Sequence, residues 1–473
     1  IDSNDEVVSL INALHHPGSL DTSLQLTGDG RDKNNSSKKE SQSHRPYLGY
    51  VGLKNAGATC YMNAVFQQLF MIPKLRNDIL QVVSTCTTED EKNNSVFHQL
   101  QKTFASLSLS KLDHFAPSGF WRAFKDYDGE PINVREHQDC LEFFGRLQDM
   151  VDNEYKRAVE VMRDTAANGA SNAVSEDAQN HSPNPPKIKG AVESSMGGKF
   201  VNQVISKTCP HRSERMEDFV HVSVDVRGKA NLVESLQSYV SGELLESDNA
   251  WFCEQCGSKK DAVKRSCFVG CELPQTLCVH LKRFEFDYES MQRLKIKSRF
   301  EFPNTLDMAP FTVEAMDGAG GGGEGDTKSD PMQSDPIEKP SSKQSSKSLY
   351  RLAGVVVHSG TAFAGHYYSM IRERDVPVGV DLNSADLTYE NPDLGNRWHI
   401  YDDQNVNPYN VDNLPSDAFG GTYTVDFKIT GGKEKAYDRP NSAYMLFYEK
   451  VGVDTVDQVS PVTGISFDTG TLD

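Results

Sequence analysis

The segment Gly52-Leu-Lys-Asn-Ala-Gly-Ala-Thr-Cys60-Tyr-Met-Asn63 sets the reading of the whole chain. Its cysteine stands where a turn carrying Gly57 runs into an amphipathic helix. Past Cys60 the apolar residues Met62, Val65, Phe66, Leu69 and Phe70 fall at the i, i+3, i+4, i+7, i+8 spacing of one helical face. Pro73 is expected to stop that pattern. A thiol at a helix N-terminus lies at the positive end of the macrodipole beside unpaired N–H groups, which favour thiolate over thiol. Free cysteines are among the most buried residues and most are inert. The meaning of Cys60 therefore rests on whether the rest of the chain supplies a base, a group to orient that base, and a donor for an oxyanion.

Composition narrows the field. A chain of 473 residues has room for a large core and for more than one lobe. Its hydrophobic share of 37% is low for a globular protein, as when polar insertions dilute an ordinary core. No apolar run approaches the roughly 18 residues of a membrane span. The opening Ile1-Asp-Ser-Asn-Asp-Glu is acidic where a signal peptide would be basic. Because the chain starts without methionine, it is expected to be part of a longer polypeptide. Nine cysteines without dense spacing suggest a reducing compartment, and metal or catalytic thiols rather than disulfides. The expected location is the cytoplasm, with the nucleus as an alternative. A net charge of −18 leaves no basic footprint for nucleic acid. It suits a basic partner, although acidic charge more often serves only solubility.

Along the chain, 1–46 holds one short amphipathic stretch and then a polar run, read as an N-terminal extension and linker. A helical block follows, with a stripe at Leu141, Phe144, Leu147, Val151, Tyr155, Val159 and Met162. Residues 164–195, rich in Ala, Asn, Ser and Pro, read as a disordered insertion, as do 317–348 with their run of glycines. From Met196 the pattern turns β-like, as in the alternation Phe219-Val-His-Val-Ser-Val-Asp-Val226. Further strands are expected at Tyr350 to His358, Gly365 to Ile371, Arg397 to Tyr401 and Ala443 to Tyr448. Residues 451–473 form a tail. Helices first and strands afterwards make an α+β protein with loops inserted into one folded unit.

A cysteine nucleophile needs an imidazole to hold the thiolate and protonate the leaving group, and a third group to orient the imidazole. Of thirteen histidines, His366 stands out at the start of an aromatic strand, directly after Gly365, whose missing side chain permits close backbone approach. Tyr401-Asp402-Asp403 ends the next strand, and an antiparallel pairing would bring Asp402 beside His366.

These residues belong to a longer set: the 52–63 segment, Gln67-Gln-Leu69, Glu136-His-Gln-Asp-Cys-Leu-Glu-Phe143, Val279-His-Leu-Lys-Arg-Phe284, Val357-His-Ser-Gly360, Gly365-His-Tyr-Tyr-Ser369 and Trp398-His-Ile-Tyr-Asp-Asp403. In that order, over about 47–450, the chain resembles the catalytic domain of ubiquitin-specific proteases, most of all the large fat-facets-type branch. The resemblance implies a papain-like cysteine protease with a helical thumb (about 47–163), β fingers (about 201–299) and a β palm (about 300–316 and 349–450). It implies hydrolysis of the isopeptide or peptide bond after ubiquitin's C-terminal glycine, with ubiquitin and ubiquitinated proteins as partners. By the same resemblance Cys60 is the nucleophile, His366 the base, Asp402 the third member of the triad and Asp403 a helper. Asn55 is the oxyanion donor, an amide that stabilises charge without titrating. Asp139, Gly365 and Tyr367 fall at substrate-binding positions, and a carboxylate at Asp139 suits an arginine of the ubiquitin tail. His358, His399 and Cys140 are weighed as competitors and read as structural; His399, three positions from Asp402 on one strand, should face the other way.

Cys253-Glu-Gln-Cys256 before Gly257 is a zinc half-site, although a lone pair of this spacing is also compatible with a redox or merely structural role. Relatives often carry a second pair upstream. Here the first cysteine of that pair is Ser206, followed by Cys209 and His211, so the resemblance implies one structural Zn2+ held by Cys209, His211, Cys253 and Cys256. Cys267, Cys271 and Cys278 read as buried packing residues. The rivals are an inactive ubiquitin-binding module, disfavoured by the complete residue set, and a protease for a ubiquitin-like modifier.

Overall fold

The helix Cys60–Phe70 runs through the middle of the molecule with all eleven of its residues buried. A surface helix keeps one polar face, whereas a helix covered all round is enclosed by its neighbours. Here the strand Gly365–Arg372 covers one side, joined by a hydrogen bond from Ser369 Oγ to Ala64 O at 3.0 Å, and other helices cover the rest. The computed structural model describes residues 50–110, 112–170, 187–319, 348–374, 397–425 and 435–451. The expected extension 1–46 and all but the first residue of the expected tail lie outside them. Pro73 does not lead into a loop: it opens the next helix, Pro73–Gln81, at a first-turn position where a missing N–H has no partner to lose.

Around this helix stand Val96–Leu109, Ser118–Ala123 and the long Cys140–Ala170. On the long helix, Phe144, Leu147 and Val151 are fully buried, while Leu141, Tyr155, Val159 and Met162 pack against the same core from its edge. The insertion expected over 164–195 is shorter than its composition suggested. The long helix continues through Ala170, and Ala191–Met196 is a helix with Ala191, Val192 and Met196 buried. A buried carboxylate from the long helix, Asp152, caps it by accepting from the amides of Val192 (2.8 Å) and Glu193 (3.1 Å). That contact arises from the fold and leaves no local trace in the sequence. Similarly, Asp317, at the start of the second expected insertion, lies within the helix Val313–Ala319 and pairs with Arg212 and Arg265. Residues 171–186 and 320–347 lie outside the described set.

The main sheet has eight strands. Asn405–Tyr409, Trp398–Asp402, Gly365–Arg372, Leu349–Gly360, Asn441–Lys450, Thr276–Lys282 and His221–Asp225 lie side by side in that order, and Thr305–Asp307 adds to Leu349–Gly360. Only the last pair on the main path is parallel. Alternation along the strands divides the core: Tyr367 and Ile371 face the helices, whereas Tyr368 and Met370 face the second cluster around Val222, Leu236 and Phe302. The run from Phe219 to Val226 serves two sheets, because Arg212–Phe219 ends at Phe219 and His221–Asp225 begins after Val220. The first of these strands belongs to a four-stranded projection with Gly198–Ser206, Ala262–Phe268 and Glu243–Leu245. Thumb, palm and fingers are thus all present. Cys267 and Cys278 are buried as expected, but Cys271 is exposed, since it lies in a single 3-10 turn, Gly270–Glu272, that steps out of the sheet.

Arg283 is the largest fully buried side chain, at 1% exposure. Its guanidinium donates to the carbonyls of Ala443 (2.8 Å), Ile296 (2.9 Å), Ser298 (3.1 Å) and Phe419 (3.2 Å), which ties the sheet to the two segments crossing its end. Desolvation lowers its pKa to about 10, so it stays charged. Replacing it by methionine strands four backbone acceptors, two of them in buried hydrogen bonds, so Arg283→Met is expected to cost about 3 kcal/mol in a chemical-denaturation experiment.

Candidate active site

The turn before the helix is built by Asn55. Its Oδ1 accepts from the amides of Gly57 (2.8 Å) and Thr59 (3.1 Å), an Asx-type closure that delivers Cys60 as the first residue of the helix. Gly57 has φ +144°, and a Cβ there would lie 3.2 Å from Val134 O, so only glycine fits. Cys60 is buried at 2% exposure.

From the sheet side, the antiparallel pairing Ser369↔Tyr401 brings the start of one strand to the end of the other. There His366 Nε2 lies 2.6 Å from Asp402 Oδ1. A carboxylate can only accept, so Nε2 carries a proton and Nδ1 is left for the thiol. Hydrogen bonding to Asp402 and, after it, to Cys60 holds the imidazole pKa up at about 10 against the burial that would lower it. The structure thus pairs His366 with Asp402, and Cys60 lies near enough to the same ring to raise its pKa.

Asp403 takes a different position from its neighbour. Its φ is +51°, and its carboxylate accepts from Asn55 Nδ2 and Asn63 Nδ2, both at 2.8 Å. Its hydrogen bonds therefore go to the two asparagines of the helix-entry segment. One amide proton of Asn55 is occupied in this way, leaving the other for a further acceptor.

Beside His366 lies a cavity of about 240 Å³ lined by Asp139, Phe284, Arg293, His358, Gly365 and Tyr367, among others. Asp139 is heavily used inside the fold: Oδ1 caps the long helix through the amides of Leu141 and Glu142, and Oδ2 accepts from Tyr444 OH at 2.6 Å. Tyr367 is buried between the rings of His358 and Tyr444. A Cβ on Gly365 would meet His358 Nε2 at 2.1 Å, so the close approach expected of this glycine is made by a neighbouring ring. His358 is itself buried, and desolvation pushes its pKa down to about 3, which keeps it neutral. His399 packs against Tyr50 away from the triad, and Cys140 is fully buried with its thiol pKa raised. Asn63, Lys295 and the turn at 361–364 escaped the sequence reading. Only the position of Asn63, three residues past the cysteine on the same helix, signalled its part.

At the far end of the fingers, Cys209 and His211 lie in the connection between two strands. Cys253 and Cys256 lie on the hairpin Trp251–Cys253/Ser258–Lys260, whose turn uses Gly257 at φ +63°. The four ligand atoms fall within 4.8 Å of one another. Cys253 and Cys256 Sγ each stand 3.3 Å from His211 Nδ1, and Cys209 Sγ stands 4.0 Å from Cys253 Sγ. Tetrahedral zinc with Zn–S about 2.3 Å and Zn–N about 2.05 Å requires separations of roughly 3.6–3.8 Å; those observed lie within about 0.3 Å either side of that range, and three thiols with one imidazole suit that ion. Ser206 is occupied as a turn residue, its Oγ accepting from the amides of Thr208 and Cys209 at 3.2 Å each.

A thiol at a helix N-terminus, set against a carboxylate-backed imidazole where a helical lobe meets a sheet, defines a papain-like cysteine hydrolase. The chain belongs to the ubiquitin carboxyl-terminal hydrolase family, whose pattern matches residues 51–448. It is 36% identical over 460 residues to "Ubiquitin carboxyl-terminal hydrolase 9X" of Mus musculus, covering 87% of this chain and 16% of that protein. To "Ubiquitin carboxyl-terminal hydrolase 24" of Homo sapiens it is 35% identical over 430 residues, covering 88% and 14%. "Probable ubiquitin carboxyl-terminal hydrolase FAF" of Drosophila melanogaster is 33% identical over 460 residues, with 86% and 14% covered. The chain therefore spans about one-sixth of these relatives' length. No described helix is long and apolar enough to cross a membrane.

Because the folded-state pKa of His366 lies above the ordinary 6.5, its contribution to stability is whole below about pH 6.5 and is lost as pH rises through about 10. Asp402→Asn removes the largest cause of the shift. An NMR titration of the His366 ring should therefore show a midpoint near pH 10 in the native protein and a clearly lower one in the variant; an unmoved midpoint would contradict the assigned contact.

Proposed function

We propose that this domain is a thiol-dependent deubiquitinase, cleaving the isopeptide or peptide bond that follows the C-terminal glycine of ubiquitin. The observation that carries the reading is the hydrogen bond of His366 to Asp402, with the helix-starting Cys60 near enough to raise the pKa of the same ring. Cys60 Sγ attacks the glycine carbonyl carbon, and the negative charge on its oxygen faces the remaining N–H of Asn55. His366 passes its proton to the departing lysine amine as the C–N bond breaks, leaving a thioester. It then takes a proton from water, whose oxygen displaces Sγ and frees the ubiquitin carboxylate. Asp402 keeps the ring oriented and stabilises its charged form. The cavity past Gly365 and Tyr367, with Asp139 at its wall, is the route for the substrate's tail, and the fingers hold its globular part.

Cysteine, histidine and two further cysteines at the fingertip suit a structural Zn2+, whose role there is to close the fold, since four protein ligands leave no open position. The nine cysteines, all free thiols, favour a reducing compartment such as the cytoplasm or nucleus.

A fluorogenic amide of the ubiquitin C-terminus tests the activity. Cys60→Ala should abolish turnover, and Asn55→Ala should lower kcat by roughly 10²–10³ with little change in KM. Absence of turnover by the native domain would favour an inactive ubiquitin-binding module, and turnover only of a related modifier would shift the substrate. For the metal, elemental analysis should find about one zinc per chain, and Cys256→Ser should reduce that occupancy and lower the Tm; a zinc-free protein prepared without chelators would refute the site.

A further inference from the structure

Lys295 ends the strand Gln292–Lys295, in a hairpin with Phe284–Asp287 that faces Leu349–Gly360 and Gly365–Arg372 across the cavity. Its ammonium has three protons and donates to three backbone carbonyls: His358 O at 2.9 Å, Gly360 O at 3.3 Å and Pro440 O at 2.9 Å. No carboxylate forms an ion pair with it among the described residues. Desolvation, with Arg283 and Lys297 nearby, lowers its pKa to about 7. A half-buried cation kept without a counter-ion has a cost, and all its hydrogen bonds go to one place, the base of the turn leading into His366. That turn is tight: Gly360 has φ +118°, a Cβ there would lie 2.5 Å from Ala364 O, and Thr361 N donates to Ala364 O at 2.9 Å. Ser359 pairs directly with His366, and Gly360 with Gly365. Pro440 O also accepts from Gly360 N at 3.1 Å, so one carbonyl is shared by the turn and the lysine.

The cavity wall has two halves. Phe284 and Arg293 come from the hairpin; His358, Phe363 and Gly365 come from the turn and its strands. Lys295 is the described side chain that joins the halves by hydrogen bonds to backbone. We propose that Lys295 is a positioning residue, its ammonium stapling the hairpin to the Gly360–Gly365 turn and thereby setting the width of the channel along which an extended polypeptide tail reaches Cys60. A tail of small residues needs a narrow, pre-formed channel, because its own side chains offer little to bind. The inference deepens the deubiquitinase reading and rests on it for the identity of the tail.

The test compares Lys295→Met, which keeps the stem and removes the donors, with Lys295→Arg, which restores them. Four measurements are made on the whole chain: kcat and KM for the ubiquitin C-terminal amide, the rate of Cys60 alkylation by iodoacetamide, hydrogen exchange of the backbone at 359–366, and the Tm. In Lys295→Met, KM should rise roughly tenfold or more while kcat stays within about threefold. Iodoacetamide, which needs no channel, should react at the native rate, exchange at 359–366 should accelerate, and Lys295→Arg should recover most of the loss. Unchanged KM and exchange in Lys295→Met overturn the proposal. So does a parallel fall of kcat, alkylation and Tm, which marks a role in the fold alone. A native chain that fails to turn over the ubiquitin amide sinks the deubiquitinase reading, while exchange and alkylation still decide whether Lys295 holds the turn.

Discussion

The site depends on one joint between distant parts of the chain, the corner at Asp403. Its backbone carbonyl accepts from Leu53 N at 2.8 Å, and its carboxylate holds Asn55 and Asn63. Gly52 runs so close to the next peptide that a Cβ would lie 2.3 Å from Gln404 O. The cysteine-bearing segment is thus pinned to the same corner of the sheet that presents Asp402. A non-glycine residue in the left-handed region costs on the order of 1 kcal/mol or more, and it persists where surrounding contacts over-determine it. Three hydrogen bonds and a close backbone approach do so here. Because Cys60 and His366 come from different lobes, their separation is only as exact as this joint.

Charge burial follows a related logic. Arg283 and Lys295 are cations surrounded by carbonyl oxygens, with no carboxylate among those hydrogen bonds. A carboxylate partner would add Coulomb attraction, but it would bring a second group to desolvate. Carbonyls already need donors where strands end and loops cross, so the cations satisfy backbone groups that the sheet leaves open. His366 is the contrasting case. Its partners are ionisable, and the result is a ring that stays protonated well above its ordinary range. The protein therefore places neutral acceptors where a charge must only hold, and ionisable ones where a proton must move.

What the sequence disclosed follows from the range of each interaction. The Cys60 helix was legible because its apolar spacing is local. The strand carrying His366 was legible because aromatic alternation is local too, and the pairing of Asp402 with His366 needed only adjacent strands. Elements fixed by distant contacts were opaque. The helix at Ala191–Met196 depends on a cap from Asp152, some forty positions upstream. Val220 interrupts an unbroken alternation only because two sheets diverge there. Pro73 was read as a stop, and the Cys60 helix does end before it, but the same ring also opens the next helix. The adjacent aspartates show the limit most clearly: nothing in Asp402-Asp403 says that one orients the imidazole and the other the helix-entry segment, a division that the positive φ of the second residue creates.

The fingertip extends the same point. Ser206 stands outside the group that Cys209, His211, Cys253 and Cys256 form. Two thiols lie at equal distance from one imidazole nitrogen. Mutual hydrogen bonding explains such a cluster poorly, because a single Nδ1 has one site to offer, whereas a central cation would be shared by every donor. Ser206 has a different use: its hydroxyl closes the loop by accepting from the amides of Thr208 and Cys209. The serine is thus the residue that shapes the turn from which Cys209 and His211 are presented.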